Sequence, residues 1–300
     1  MIKKKRKKQS LFDICNVAFM IVLLLVTLYP LYFTVISSVS DAGAVATGQV
    51  RWKPIGFTLE AYQNVLHYKQ IWVGYANTIF YTVLGTLFNI ALTIPTAYSM
   101  SKKYLPHRNI FTAYFLITMY FGGGLLPTYL LVKDMGLLNT RAVLIITSGL
   151  SVYNMIVTRT YFSSSISESL YEAAEIDGAS ELKKFIMIAL PLAKPIIAVM
   201  TLYYAVGHWN SYFSALIYIS DTDLEPLQSV LRKVLILNQT IKLDFETMTA
   251  EEIEANIRRA YMAYTMKYAM VFIASAPMLV AYPFVQKYFV KGVMVGSLKG

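Results

Sequence analysis

Between Glu172 and Pro195 the chain places residue types that suit surface contact rather than bond-making. The segment reads Glu172-Ala173-Ala174-Glu175-Ile176-Asp177-Gly178-Ala179, then Leu182, Phe185 and Ile186, then Leu190-Pro191-Leu192 and Pro195. Ser167 or Ser169 can cap a short helix, with Glu172 near its start, where an anion suits the helix dipole. Ala173 and Ala174 are small and let another surface approach closely. Gly178 suits a helix stop that needs a positive φ. A second helix can begin at Ser180 with Glu181 in its first turn, and Leu182, Phe185, Ile186 and Ala189 form an apolar stripe at helical spacing. Pro191 and Pro195 then bend the chain. The expectation is a helix–turn–helix elbow. Taken by itself, such an elbow is an amphipathic connector lying on a bilayer or against its own bundle.

No feature points to covalent chemistry. Gly122-Gly123-Gly124 lacks the lysine and Ser/Thr that complete a phosphate-binding loop. His67, His107 and His208 lie far apart without metal-ligand spacing, and no catalytic triad or carboxylate pair is visible. Cys15 is alone, so no disulfide can form within the chain. The glycine triplet marks a break or weak point in an apolar block. It permits close helix packing, the simpler reading, or local unwinding beside a cavity. Trp209, Asn210 and Tyr212 sit mid-block, where polar groups rarely face lipid, so they suit a pathway or a bundle interface. Tyr120 and Asn154 are further candidates of that kind. Aromatic faces stack on sugar rings while hydroxyls and amides bind sugar hydroxyls, but the 23 tyrosines discriminate nothing alone, since membrane interfaces also collect them.

The elements that must carry these residues are membrane spans. The 300 residues are 56% hydrophobic and 15% charged, against about 45–50% and about 25% in soluble domains. The apolar residues gather in blocks at approximately Ile14–Val39, Tyr75–Ser101, Phe111–Leu131, Ala142–Phe162, Ile196–Ile219 and Met266–Val285. The first follows Lys3-Lys4-Lys5-Arg6-Lys7-Lys8 and is too long for a signal-peptide core, so it reads as an uncleaved helix. The net charge of +10 collects at block ends, where it fixes orientation and meets anionic lipid headgroups. No basic-aromatic face outside the spans suits nucleic acid. Lys102, Lys103 and Arg108, then Arg159, Lys183, Lys184 and Lys194, then Lys287, Lys291 and Lys299 place the second connection, the fourth connection and the carboxyl end in the cytoplasm. The expected fold is an all-α integral membrane protein of six transmembrane helices with both termini cytoplasmic. The expected organisation is a basic terminus at 1–12, the first span and its loop at 13–74, a core at 75–290 and a tail at 291–300. The elbow, at about 167–195, is then cytoplasmic. The loop at about 222–264 is extracytoplasmic, with Glu251, Glu252 and Glu254 before Arg258 and Arg259 as a solvated helix.

The order Glu-Ala-Ala, three positions, Asp-Gly-Ala, an apolar helix and Leu-Pro resembles the EAA motif of type I ABC importer permeases. Trp209-Asn210, the stretch from Pro127 through Leu131 with Gly136-Leu137-Leu138-Asn139-Thr140, and the ending Tyr282 to Gly292 with Lys299-Gly300 are similar to carbohydrate permeases. They resemble the LplC-like branch, itself similar to the MalG-type subunit. The resemblance implies alternating access, with ATP and Mg bound by partner ATPase subunits and no cofactor or enzymatic activity in this chain. It implies a second permease subunit, an ABC ATPase dimer and an extracytoplasmic sugar-binding protein, which the loop at 222–264 would dock. It assigns Glu172, Ala173, Ala174, Asp177, Gly178, Ala179, Phe185, Leu190 and Pro191 to coupling with the ATPase. Glu172 makes polar groove contacts, the alanines give close approach, Gly178 forms the elbow, and Phe185 and Leu190 anchor the second helix. Another solute in the same importer class, or a non-transporting membrane sensor on the permease scaffold, fits the same residues.

Overall fold

Pro30 does not break the first apolar block: in the computed structural model it lies inside one continuous helix, α1, Leu11–Ser38. Residues 11–237 and 249–297 are described; the basic run Lys3–Lys8 and the terminal Lys299-Gly300 lie outside them, as do the side chains of Lys287 and Lys291. Short helices α2, Ala42–Ala46, and α3, Glu60–His67, precede the long α4, Lys69–Ser101, which carries Pro95. Then follow α5, Arg108–Tyr120; α6, Leu125–Asp134; α7, Val143–Ile146; and α8, Val152–Ser165. The elbow comprises α9, Glu168–Ile176, and α10, Glu181–Lys184, which passes through a π-helical turn at Phe185–Ala189 into α11, Leu190–Leu192. Next come α12, Lys194–Trp209; α13, Tyr212–Tyr218; α14, Leu227–Leu237; and α15, Ala250–Ser297.

Every described element is helical, and the long ones are apolar. Leu11–Ser38, Lys69–Ser101 and Glu251–Val280 are each long and apolar enough to cross a membrane. Two further candidates are bent pairs, α5 with α6 at 109° and the α10–α11 segment with α12 at 78°, giving up to five among the described residues. The expected straight span Ala142–Phe162 is instead α7, a break at 147–151, and α8. The Ile196–Ile219 block likewise breaks at Asn210-Ser211. Gly122–Gly124 forms the break between α5 and α6. Gly124 has φ +88°, and a Cβ on Gly122 would meet nothing within 4 Å.

The chain forms two packing units. The first comprises the residues up to Tyr68 with Lys233–Ala274. Its core gathers Ile36, Ala44, Val45 and Val50 with Phe33, Ile55 and Tyr268. Asp41 caps α2 by accepting from Ala44 N at 3.0 Å. Thr249 and Glu252 cap α15, the carboxylate accepting from Thr249 N at 2.8 Å, and Arg258 pairs with Glu60 at 3.7 Å in the open.

The second unit, Lys69–Arg232 with Ser275–Gly300, carries the elbow. Its centre is α4. Asn77, Tyr81, Gly85, Asn89 and Thr93 recur every four residues, a single helix face. That face serves backbone that is not helical. Asn77 Nδ2 donates to the carbonyls of Asp223 and Glu225 at 2.7 and 3.1 Å. Tyr81 OH donates to that of Leu224 at 2.8 Å. Thr78 Oγ1 accepts from Leu227 N at 2.8 Å. Towards the end of α4 the face turns apolar. Ile94, Ala97, Tyr98 and Met100 pack with Met155, Phe162, Tyr171, Ala189, Ile196 and Met200 into the core beneath the elbow.

Candidate functional site: a docking elbow and a polar cavity

The turn of the elbow follows from Gly178. Its φ is +73°, a region that costs L-residues energy and glycine nothing. In that conformation Gly178 N donates to Glu175 O and Ala179 N to Ala174 O, both at 2.9 Å, so the last carbonyls of α9 are satisfied by a Schellman cap. Ser180 then caps α10 by accepting from Lys183 N at 3.4 Å. Leu190 N reaches back to Phe185 O, which defines the π turn, and Pro195 sits in the first turn of α12, beyond the bend at Ala193.

Tyr171, 9% exposed, is the buried residue of α9. Lys102 Nζ lies 3.0 Å from the centroid of its ring and 4.6 Å from that of Tyr98, so one buried cation serves two aromatic faces. Tyr98 also meets Phe185 at 4.9 Å and Phe162 at 5.6 Å. A second set of contacts runs beside this one. Lys184, whose side chain is 4% exposed, bonds Glu175 and Glu181, each at 2.9 Å, and Tyr104 OH donates to the other Glu181 oxygen at 2.7 Å. Hydrogen bonds to Glu175 and Glu181 raise the pKa of Lys184. Burial works against the Glu181 carboxylate, but the bonds from Tyr104 and Lys184 outweigh it and hold its pKa below the usual range. Burial lowers that of Lys102 against the pull of Glu181 and Glu168. Burial, then Glu168 and Glu181, pushes the Tyr171 phenol up to about 12.

The remaining side chains of the elbow face outward. Glu172, Ala173, Asp177 and Pro191 are exposed, and Ala174, Ala179, Phe185 and Leu190 are half-buried. Glu172 is not at the start of α9: Ser167 is the cap residue and Glu168 the first-turn acid, while the Ser167 and Ser169 hydroxyls bond each other at 2.8 Å. The expected stripe also splits. Lys184, Phe185, Ile188 and Ala189 face the core, whereas Leu182 and Ile186 are exposed. Lys184 turns inward with Phe185 and Ala189 and is paired there with Glu175 and Glu181.

The pathway candidates do not form one group. Asn154 and Asn210 line a cavity of about 430 Å³ together with Asn89, Tyr203, Tyr204 and His208. Asn89 Nδ2 donates to the Ser148 and Gly149 carbonyls at 2.5 and 2.9 Å. With both its N–H groups so engaged, Asn89 Oδ1 accepts from His208 Nε2 at 2.7 Å. Gly85 makes room for that ring, since a Cβ there would fall upon it. Tyr204 OH accepts from Ser151 N at 3.3 Å and bonds Thr93 Oγ1 at 2.7 Å. Trp209 is buried on another side, against Tyr75 at 6.2 Å, in an apolar groove with Ile79, Thr82 and Leu202. Tyr212 pairs with Phe213 at 6.4 Å. Tyr120, 73% exposed, stands beside the glycine break away from the cavity.

Residues 70–295 match the family model described as binding-protein-dependent transport system inner membrane component. The chain belongs to this family. It is a multi-pass membrane permease of the ABC importers, and members of the family are non-catalytic transmembrane subunits. The permease is 38% identical over 295 residues to Protein LplC of Bacillus subtilis (strain 168), covering 98% of this chain and 97% of that one. It is 33% identical to the polygalacturonan/rhamnogalacturonan transport system permease protein YtcP of the same organism, covering 98% and 100%. A crystal structure of a bacterial ABC transporter involved in the import of the acidic polysaccharide alginate is similar to it, with a TM-score of 0.84 at 34% identity, over 95% of this chain and 100% of that chain.

Sequence reasoning missed several residues at the permease's two sites. Charge patterning assigns Lys102 and Lys184 only to orientation; the contact of Lys102 with Tyr171 joins two separate connections, and no local pattern announces it. Ile176, at the tip of α9, is 88% exposed. Asn89 and His208 lie 119 positions apart, and no local pattern joins them.

Proposed function

We propose that this permease is one of two transmembrane subunits of an ATP-driven, binding-protein-dependent importer for an oligosaccharide or polysaccharide fragment. It works by alternating access, without covalent chemistry of its own. The observation that carries this reading is the elbow, a glycine-capped turn that presents Glu172, Ala173, Ile176 and Asp177 outward while Tyr171 and Lys184 fasten it inward. A groove on a separate ATPase subunit, which binds ATP and Mg, is the surface it fits. The sugar reading is supported by relatives whose names specify polygalacturonan, galactooligosaccharides and alginate, and by a cavity of amides, hydroxyls and aromatic rings, the groups that bind sugars. Asn154 and Asn210 are its pathway residues on this reading, with Asn89, Tyr203 and Tyr204 beside them; Trp209, Tyr212 and Tyr120 are bundle or partner-facing residues. The complete topology has six spans with both termini cytoplasmic, the core lying within 75–290, and an extracytoplasmic sugar-binding protein docks on the loop at 222–264.

The test is a mild-detergent pull-down of the tagged chain with mass spectrometry. Recovery of a second permease, an ATP-binding subunit and a sugar-type binding protein supports the reading, and that binding protein is then titrated with neutral and acidic oligosaccharides. Binding of a non-sugar solute alone would overturn the substrate class. Recovery of the chain without an ATPase, even after crosslinking, would favour a membrane sensor instead.

A further inference from the structure

The short α9 is attached to the rest of its unit by more than the chain itself. Chain continuity leads from it to α8 and to α10. Its side chains lead also to residues 98–104, the last turn of α4 and the start of the connection that follows it. Tyr171 meets Tyr98 at 6.1 Å and lies under Lys102 at 3.0 Å. Glu175, one turn further along the same helix, reaches Lys184, which holds Glu181, which accepts from Tyr104. Lys103 adds an exposed pair with Glu168 at 3.4 Å.

We infer that Lys102 and Lys184 are positioning residues that clamp the docking helix α9 to the end of α4, so that displacement of α9 by a partner moves α4 as one body. Asn89 sits nine residues before Tyr98 on the same continuous helix, about 14 Å along its axis. It bonds His208 across the cavity and the carbonyls of the 147–151 break. The clamp thus joins the surface where ATPase movement arrives to the cavity wall, through two buried cations and along α4, which stays continuous through Pro95. A cation between two aromatic faces holds position without a hydrogen bond, and the hydroxyls of Tyr98 and Tyr171 have no hydrogen-bond partner. The rings and the charge, not the hydroxyls, carry the contact.

This inference rests on the importer reading, and the test separates the two. In the complete complex with its ATPase, Cys15→Ser removes the native thiol and Ser214→Cys places a reporter in the cavity wall. Labelling by a membrane-impermeant maleimide is timed without nucleotide and with ATP plus vanadate. If the clamp-intact complex shows no nucleotide-dependent change, the importer reading itself fails. If it does, Lys102→Met and Tyr171→Leu are expected to retain bound, hydrolysing ATPase while that change shrinks about threefold or more. Lys102→Arg and Tyr171→Phe should keep it at full size. A full-size change in Lys102→Met and Tyr171→Leu, or an equal loss in Tyr171→Phe, overturns the clamp. Tyr104→Phe, at an exposed ring, severs the Glu181 link without touching the core. It is expected to halve the change, roughly, where the core variants fail to assemble, and no effect there overturns the clamp.

Discussion

Replacing Gly178 by alanine isolates backbone strain from crowding at the docking elbow. The residue has φ +73°, and a Cβ built on it would meet nothing within 4 Å, so alanine adds no clash. What remains is the penalty of a left-handed conformation for an L-residue, about 1–2 kcal/mol. The chain cannot escape by rotating Gly178 to negative φ, because the bonds of Gly178 N to Glu175 O and Ala179 N to Ala174 O would be lost. At about 1.4 kcal/mol per factor of ten, the equilibrium constant for the observed elbow falls roughly 5- to 30-fold, and its population by up to that factor. If the ATPase takes the elbow in this shape, the loss appears directly in affinity. Titrating purified ATPase subunit onto the immobilised, detergent-solubilised permease pair should show Kd rising by up to that factor, with membrane insertion unchanged. Asparagine tolerates positive φ, so Gly178→Asn should recover most of the affinity, whereas a bulky β-branched residue should not. Equal affinities for glycine and alanine, or an asparagine variant as weak as alanine, would refute the reasoning.

Glu172→Lys reverses an exposed charge on the docking face; insertion should be unaffected while ATPase association slows several-fold and its salt dependence changes, measured by stopped-flow binding. Gly85→Ala drives a methyl group into the His208 ring and strands the Asn89 oxygen; a loss of about 1–3 kcal/mol should lower the detergent melting temperature, and an unchanged melt would show that the ring is not held there. The Glu181 carboxyl is held below its usual pKa, so its stabilising effect is present above the ordinary value of about 4.3 and is lost as pH falls through the depressed one. Hydrogen exchange of the 180–188 segment, corrected for intrinsic rates, should stay flat from pH 7 to about 5 and accelerate only below about 4.3. Glu181→Gln should abolish that step, and an acid transition above about pH 5 would contradict the assignment.

The elbow was legible because its determinants are local. Gly178, Ser180 and Pro195 each act within a few residues, and each does what its side chain dictates. Glu172 was misplaced by one turn because two serines offered a cap and the helix begins at the earlier one, with Glu168 behind it. The apolar stripe failed for a different reason. Leu182 and Ile186 are as apolar as Phe185, and it is packing on residues distant in sequence, Phe185 on Tyr98 and Ala189 in the core of α4 and α8, that distinguishes the side turned inward. Span lengths were legible where composition alone sets them, as in α1 and α4. At 147–151 and 210–211 short polar interruptions, Thr147, Ser148, Gly149 and Ser151, then Asn210 and Ser211, break the helix inside blocks whose average composition is apolar.

The break at 147–151 has a physical answer. Backbone that leaves the helix within a membrane must find other partners, each orphaned group costing several kcal/mol. Here the partners come from the side chains of a neighbouring intact helix. The carbonyls of Ser148 and Gly149 precede α8 and receive the amide of Asn89 instead; in the connection after α13, those of Asp223 and Glu225 receive the amide of Asn77 in the same way. Gly85 stands between Asn77 and Asn89 in the same row, so that His208 can enter. The polar residues of α4 are therefore support for non-helical backbone before they are anything else. That is why a helix apolar enough to cross a membrane buries so many of them, and why the cavity wall they support can be both polar and rigid. On the proposed reading, this one helix carries both the polar wall of the cavity and the link to the elbow.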